Sequence, residues 1–292
     1  MMLPYTNNLG GKKVWTQHLI NTKRGSFEFF VKGSGQPICI THLYSAFNSN
    51  GNTFANSFTN EFTVYLVNLR GAGNSVGSVQ QDDLSMKESI KDLEAIREAL
   101  QFDKWSFAGH STGGMLGLAY AIQMPQSLEK MVIGGAAASK EYMNHPGSIY
   151  CKENPHNERL REIFTLLNNS KIPADIRKAV GREWTEMSIY RPEMFDEYFN
   201  TPNSGSVVSA RLDYYSYTEL PNYDLTPYLT KIQIPTIVYC GEHDAQCPYV
   251  FSEQIAENIP NAQLITFTKS NHFPFTEEPE KFTHMVKNLI NS

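Results

Sequence analysis

Apolar and polar residues alternate with a period of two along "VWTQHLI" (14–20) and "SFEFFVKG" (26–33), with the turn-like "NTKRG" between them. That pattern predicts a β-hairpin. Two short apolar runs follow, "PICITH" (37–42) and "FTVYLVNL" (62–69), bounded by Gly, Asn and Ser. They read as parallel strands buried on both faces. The period then becomes helical. Met86, Ile90, Leu93, Ile96 and Leu100 recur at three- and four-residue spacing with charges between them, which predicts an amphipathic helix. "WSFAGH" (105–110) predicts a strand, "TGGMLGLAYAIQM" (112–124) an apolar helix and "KMVIGGAAA" (130–138) another strand. Strand and helix in alternation imply a mostly parallel sheet with helices on both faces.

The pattern stops over 141–225. This stretch is charged, aromatic and interrupted by Pro146, Pro155, Pro173, Pro192, Pro202 and Pro221. Helices are expected at 156–169, 174–185 and 192–199, and nothing in it reads as a buried strand. The alternation resumes with a strand in "IPTIVYCGEHD" (234–244), a helix near 249–258, a strand in "AQLITFT" (262–268) and a helix near 279–290. So long an irregular connection is rarely a plain loop. The expected organisation is therefore an α/β core of about eight strands, residues 1–140 and 226–292, with a helical cap, 141–225, inserted after the sixth strand.

Composition narrows the function classes. A chain of 292 residues suits one large domain or a core with an insertion. The formal net charge of −5, from 25 basic and 30 acidic residues, gives no overall attraction to nucleic acid or anionic membrane. "MMLPYTNNLGGKK" lacks an apolar stretch after a basic one, so no secretory signal is expected. The longest apolar-rich segment, "GGMLGLAYAI" (113–122), is about half the length of a membrane span. Cys39, Cys151, Cys240 and Cys247 form no CxxC pair and read as free thiols in a reducing compartment. A cytoplasmic location is expected, and the oligomeric state is left open.

Candidate chemistry centres on "FAGHSTGG" (107–114). "GHSTG" matches G-x-S-x-G between a buried strand and an apolar helix. At a sharp strand-to-helix elbow, residues two before and two after the serine come too close for a Cβ, which explains Gly109 and Gly113. The elbow lifts Ser111 off the sheet edge beside a helix N-terminus that favours developing negative charge. A serine hydroxyl needs a base. Two later strand-edge loops carry candidates: "GEHDAQCP" (241–248) offers Asp244, with Glu242 as the alternative acid, and "SNHFPFTEEPEKF" (270–282) offers His272.

These segments together resemble the α/β-hydrolase fold superfamily, especially capped serine hydrolases such as bacterial esterases, proline iminopeptidases and related C–C hydrolases. "NLRGAGNS" (68–75) is similar to the family's D-x-R-G-x-G-x-S segment, "GEHD" to its acid loop and "NHFPFTEEPEKF" to its histidine loop. Asn68 stands where the family has Asp, and Asn271 where it has Gly. The resemblance implies a catalytic triad of Ser111, Asp244 and His272. It also implies an oxyanion hole at "THLYSAF" (41–47), formed by the N–H groups of Tyr44 and Thr112, although His42-Leu43-Tyr44 replaces the usual His-Gly pair. The H-G-G-P-G stretch of proline iminopeptidases is absent. By the same resemblance His42 holds the oxyanion loop through its ring nitrogens, and Arg70 holds neighbouring loops together.

The implied reaction is hydrolysis of a small carboxylic ester or amide through an acyl-enzyme, with a small acyl compound as the only partner expected. No cofactor and no metal are expected. Serine at the elbow argues against the relatives that use a carboxylate nucleophile. The alternatives are a proline iminopeptidase-type aminopeptidase, for which a cap carboxylate would bind the substrate amine, a C–C bond hydrolase or lyase, and a triad-retaining ligand receptor. His110, Leu43 and Trp184 are the candidate substrate contacts.

Overall fold

The β-branched and aromatic runs form eight strands: β1 (Thr16–Thr22), β2 (Gly25–Gly33), β3 (Gln36–Ile40), β4 (Phe62–Val67), β5 (Trp105–His110), β6 (Leu128–Gly134), β7 (Thr236–Gly241) and β8 (Ala262–Phe267). The computed structural model describes residues 14–169 and 171–289. The stretch 1–13, where no leader is expected, and the end of the last predicted helix lie outside them. The strands make one sheet in the order β1-β2-β4-β3-β5-β6-β7-β8. β1, β2 and β4 pair antiparallel, and every other pair is parallel.

Alternation within the strands sorts side chains onto two faces. In β4, Val64 and Leu66 join one buried cluster and Val67 the other; in β5, Ala108 and Phe107 divide the same way. One face is covered by α1 (Met86–Ala99), α2 (Thr112–Gln123) and, later in the chain, α6 (Tyr249–Asn258), through residues such as Ile90, Leu93, Met115, Phe251 and Ile255. The other is covered by α7 (Pro279–Leu289) and a short helical turn, Thr53–Asn56.

Between β6 and β7 lie α3 (Asn157–Asn168), α4 (Ala174–Glu186) and α5 (Ser209–Tyr214), joined by shorter turns. This segment also carries a two-residue strand, Ser206–Val207, which pairs with Ser45–Ala46. Sequence patterning missed it, because two exposed residues have no periodicity. Among the described residues no helix is long and apolar enough to cross a membrane.

The strand order fixes where chemistry gathers. β3 lies between β4 and β5, so the connections leaving β3 and β5 diverge in opposite directions. Open α/β sheets bind ligands at such a switch point, beyond the carboxyl ends of the strands. The loop after β3 and the elbow after β5 meet there.

Candidate active site

Only Ser111 separates the end of β5 from the start of α2. Its backbone is at φ 56° and ψ −126°, which a residue with a Cβ rarely adopts. The tight elbow explains its glycines. A Cβ on Gly109 would lie 2.2 Å from the Gly113 carbonyl oxygen, and one on Gly113 would lie 2.5 Å from that of Thr41. The Ser111 N–H donates to the Gly134 carbonyl at 2.9 Å, tying the elbow to the end of β6. Among the described residues, Ser111 Oγ takes no hydrogen bond.

Asp244 and His272 come from the loops after β7 and β8 and are 4 % and 2 % exposed. His272 Nδ1 stands 2.9 Å from Asp244 Oδ2 and 3.0 Å from Oδ1. A carboxylate only accepts, so Nδ1 carries the proton and Nε2 is left as a base. Asp244 Oδ1 also accepts from the N–H groups of Gln246 and Cys247, both at 2.9 Å. Asn271 joins the two loops, its Oδ1 accepting from the Ala245 N–H at 2.8 Å. Glu242 is exposed, and the exposed His243 stacks on Tyr190 with ring centroids 4.5 Å apart. Neither touches His272. The His272 ring instead lies 4.5 Å from that of His110, the residue before Ser111.

Around the elbow, His42 bridges two loops: Nδ1 is 2.9 Å from Ser45 Oγ and Nε2 is 3.1 Å from Thr112 Oγ1. Burial, then the nearby His272 and Arg211, pushes its pKa down to about 3, so it is neutral. Burial pushes the Tyr44 phenol up to about 12, against a hydrogen bond with Thr112. Thr112 is the first residue of α2, where an N–H has no acceptor within the helix. Among the described residues neither the Tyr44 N–H nor the Thr112 N–H has a protein acceptor. Asn68 anchors the far end of this loop. Its Oδ1 accepts from the Phe47 N–H at 2.7 Å, while its Nδ2 donates to Glu28 at 2.7 Å and to the Phe47 carbonyl at 3.0 Å. Arg70 faces away and pairs with buried Asp92 at 2.8 and 2.9 Å.

A cavity of about 200 Å³ opens beside His42 and His110, walled by Phe54, Phe199, Phe273 and Phe275. No charged residue lines it among the described residues. His110 Nδ1 is 2.9 Å from the Tyr239 hydroxyl, and burial, then the neighbouring His272 and His42 rings, which would repel a second cation, holds its pKa well below the usual histidine range. Larger hollows, such as one of about 630 Å³ bordered by Lys23, Arg24 and Glu94, lie on charged surface away from the carboxyl ends of the parallel strands. Two expected substrate contacts, Leu43 and Trp184, do not line this cavity. The Leu43 side chain packs in the core at 1 % exposure, because the loop turns it inward. Trp184 packs against Phe164 within the 141–225 segment, rings 5.1 Å apart, because α3 and α4 need a shared apolar seam.

Two residues that the sequence did not single out reach this site. Glu277 accepts from the Asn271 and Phe273 N–H groups, on either side of His272, at 2.9 and 3.1 Å, and from the Tyr190 N–H at 2.6 Å. Burial pushes its pKa up to about 7 while those three donors pull the other way. Arg211, in α5, reaches the Leu43 carbonyl. Glu277 lies inside the histidine-loop segment "NHFPFTEEPEKF", whereas no motif marks Arg211, which acts on a backbone group that only the folded chain brings near.

The family model for the alpha/beta hydrolase fold matches residues 40–159. The solved structure of an alpha/beta fold family hydrolase from Bacillus anthracis str. Sterne is 52% identical, with a TM-score of 0.93, and the match covers 94% of this chain and 99% of that one. The proline iminopeptidase of Heyndrickxia coagulans is 22% identical over 290 residues, 96% of this chain and all of its own. An esterase from Exiguobacterium antarcticum is 24% identical with a TM-score of 0.68, covering 94% of this chain and 99% of its own; it shares the fold.

Proposed function

The chain belongs to the alpha/beta hydrolase fold family, and from that premise we propose that it is a serine hydrolase acting on small carboxylic esters. The observation that carries this is the buried Asp244–His272 pair beside the strained Ser111 elbow. As Ser111 Oγ attacks the ester carbonyl carbon, His272 Nε2 takes its proton. The carbonyl π electrons move onto oxygen, and the Tyr44 and Thr112 N–H groups hold that oxyanion. Collapse expels the alcohol, which leaves with the proton from His272. Water, deprotonated by the same nitrogen, then attacks the acyl-enzyme; the carbon–Oγ bond breaks, Ser111 Oγ takes the proton back from His272, and the acid is released. Asp244 keeps the proton on Nδ1 and stabilises the imidazolium at each step.

Residues 141–225 act as the cap. The His272 N–H donates to the Ser188 carbonyl at 3.0 Å, and Phe199 forms a cavity wall. The cavity reaches His110, next to Ser111, although Ser111 and His272 are not in its lining; taken as the acyl pocket, it is smaller than the roughly 300–1,000 Å³ of pockets for drug-sized ligands, which favours a short acyl group. The uncharged lining also favours an ester over an N-terminal amine. Three of the cap carboxylates are engaged in ion pairs: Glu183 with Arg159, and Glu186 and Asp196 with Arg182.

Rates on p-nitrophenyl esters from acetate to decanoate, beside proline p-nitroanilide, test this. Acyl chains of two to about six carbons should react fastest. A rate on the proline amide above that on every ester, or no turnover on any of them, refutes it.

A further inference from the structure

Arg211 is 1 % exposed, yet no carboxylate lies within ion-pair distance of it among the described residues. Its guanidinium bonds only neutral acceptors. Nε donates to the Leu43 carbonyl, Nη1 to the Arg70 carbonyl at 3.0 Å and Nη2 to Ser89 Oγ at 2.7 Å. Burial lowers its pKa to about 10, with Glu219 and Asp92 opposing, so it remains charged at neutral pH. A buried charge without a counter-ion is costly, which directs attention to what it holds.

The Leu43 C=O and the Tyr44 N–H belong to one peptide plane. In a trans peptide these two groups point in opposite directions. A donor that fixes the carbonyl on one side therefore fixes the direction of the N–H on the other. The next peptide is fixed too, since the Val208 N–H donates to the Tyr44 carbonyl at 2.8 Å. Residues 208 and 211, at the start of α5, thus hold the carbonyls on both sides of Tyr44, next to the paired strands Ser45–Ala46 and Ser206–Val207.

We propose that Arg211 is a positioning residue of the oxyanion hole: it clamps the Leu43–Tyr44 peptide so that the Tyr44 N–H faces the developing oxyanion. The cation also draws electron density through the carbonyl, which strengthens that N–H as a donor. This rests on the Ser111 mechanism proposed above. It makes the cap part of the catalytic apparatus, because α5 both closes the 141–225 segment and aims a donor at the reaction centre.

The test compares Arg211→Met, Arg211→Lys and Ser89→Ala on a short p-nitrophenyl ester. In parallel, the affinity of each variant for an arylboronic acid, a tetrahedral mimic once bound to serine, is measured. Removing an oxyanion donor costs about 100- to 1,000-fold in kcat, so a misdirected donor should cost about 10- to 100-fold. Arg211→Met should lose that much kcat with KM within about threefold, and boronate affinity should fall in parallel. Arg211→Lys should recover part of the loss, having one N–H for the Leu43 carbonyl. Ser89→Ala, which removes only the Nη2 acceptor, should keep kcat within about twofold. Wild-type kcat in folded Arg211→Met, or lost kcat with unchanged boronate affinity, overturns the proposal. If Arg211→Met does not fold, Arg211→Lys against Ser89→Ala decides, and equal kcat in the two overturns it. Ser111→Ala separates the premise from the inference. An inactive Ser111→Ala beside a fully active Arg211→Met sinks the clamp alone, whereas an active Ser111→Ala sinks the mechanism beneath it.

Discussion

Replacing Asp244 by Asn removes a charge while keeping shape, and the structure dictates how the new amide sits. Asp244 Oδ1 accepts two backbone N–H groups, from Gln246 and Cys247, both at 2.9 Å. An NH2 group in that position would face two donors, so the Asn carbonyl takes it. The NH2 group then occupies the Oδ2 position, 2.9 Å from His272 Nδ1, while the carbonyl in the Oδ1 position, 3.0 Å from Nδ1, is already taken by the two backbone donors. It opposes a proton on Nδ1 and favours the tautomer with the proton on Nε2, the nitrogen that must accept the Ser111 proton. The loss expected for such a tautomer error is about 10³- to 10⁴-fold in kcat, or roughly 4–5.5 kcal/mol of barrier. The assay is steady-state hydrolysis of a short p-nitrophenyl ester, with a thermal melt to establish that the variant is folded. A folded Asp244→Asn within tenfold of wild-type kcat would refute the reasoning, because Asp244 would then neither set the tautomer nor stabilise the charged imidazole.

Gly135→Ala would place a Cβ 2.6 Å from His110 Cε1 and 2.9 Å from His272 Cε1, at φ +55°; kcat/KM on the same ester should fall at least about tenfold, and full activity would contradict the packing described. Glu277→Gln keeps an oxygen for the Asn271 and Phe273 N–H groups but turns an NH2 toward the Tyr190 N–H. Losing that charge-assisted bond should cost about 2 kcal/mol and a few degrees of Tm, with KM raised more than kcat is lowered, and an unchanged Tm and KM would count against a link to the cap. His42 is held near pKa 3 in the fold against about 6.5 unfolded. Between those values only the unfolded chain binds the proton, so wild type should lose stability relative to His42→Gln as pH falls, by up to about 1.4 kcal/mol per pH unit. Urea midpoints of both proteins from pH 6.5 to 4 check this, and a difference independent of pH would rule it out.

The parallel core was legible because its strands are short apolar runs and its helices carry clean apolar stripes, as with Ile90, Leu93 and Ile96 in α1. The pairing of Asp244 with His272 was legible because each follows a strand at the edge where open sheets collect their sites. The 141–225 segment was legible only as helices. Several of its contacts with the core run through backbone groups: the Ser188 carbonyl, the Tyr190 N–H and the Val208 N–H. Side-chain patterning carries no signal for such bonds. Leu43 illustrates the same limit, since its position in a motif suggested substrate while its side chain turns into the core and its carbonyl accepts from Arg211. Arg211 would have read as an ordinary surface arginine, and only the fold buries it against the Leu43 carbonyl.

The central claim is that Ser111 is the nucleophile. Treating the native protein with a fluorophosphonate and locating the adduct by peptide mass spectrometry tests it directly. The account predicts a single stoichiometric adduct on Ser111, with hydrolysis lost in step with labelling and no adduct in Ser111→Ala. Labelling at another residue, or full ester turnover by the Ser111-labelled protein, would contradict it.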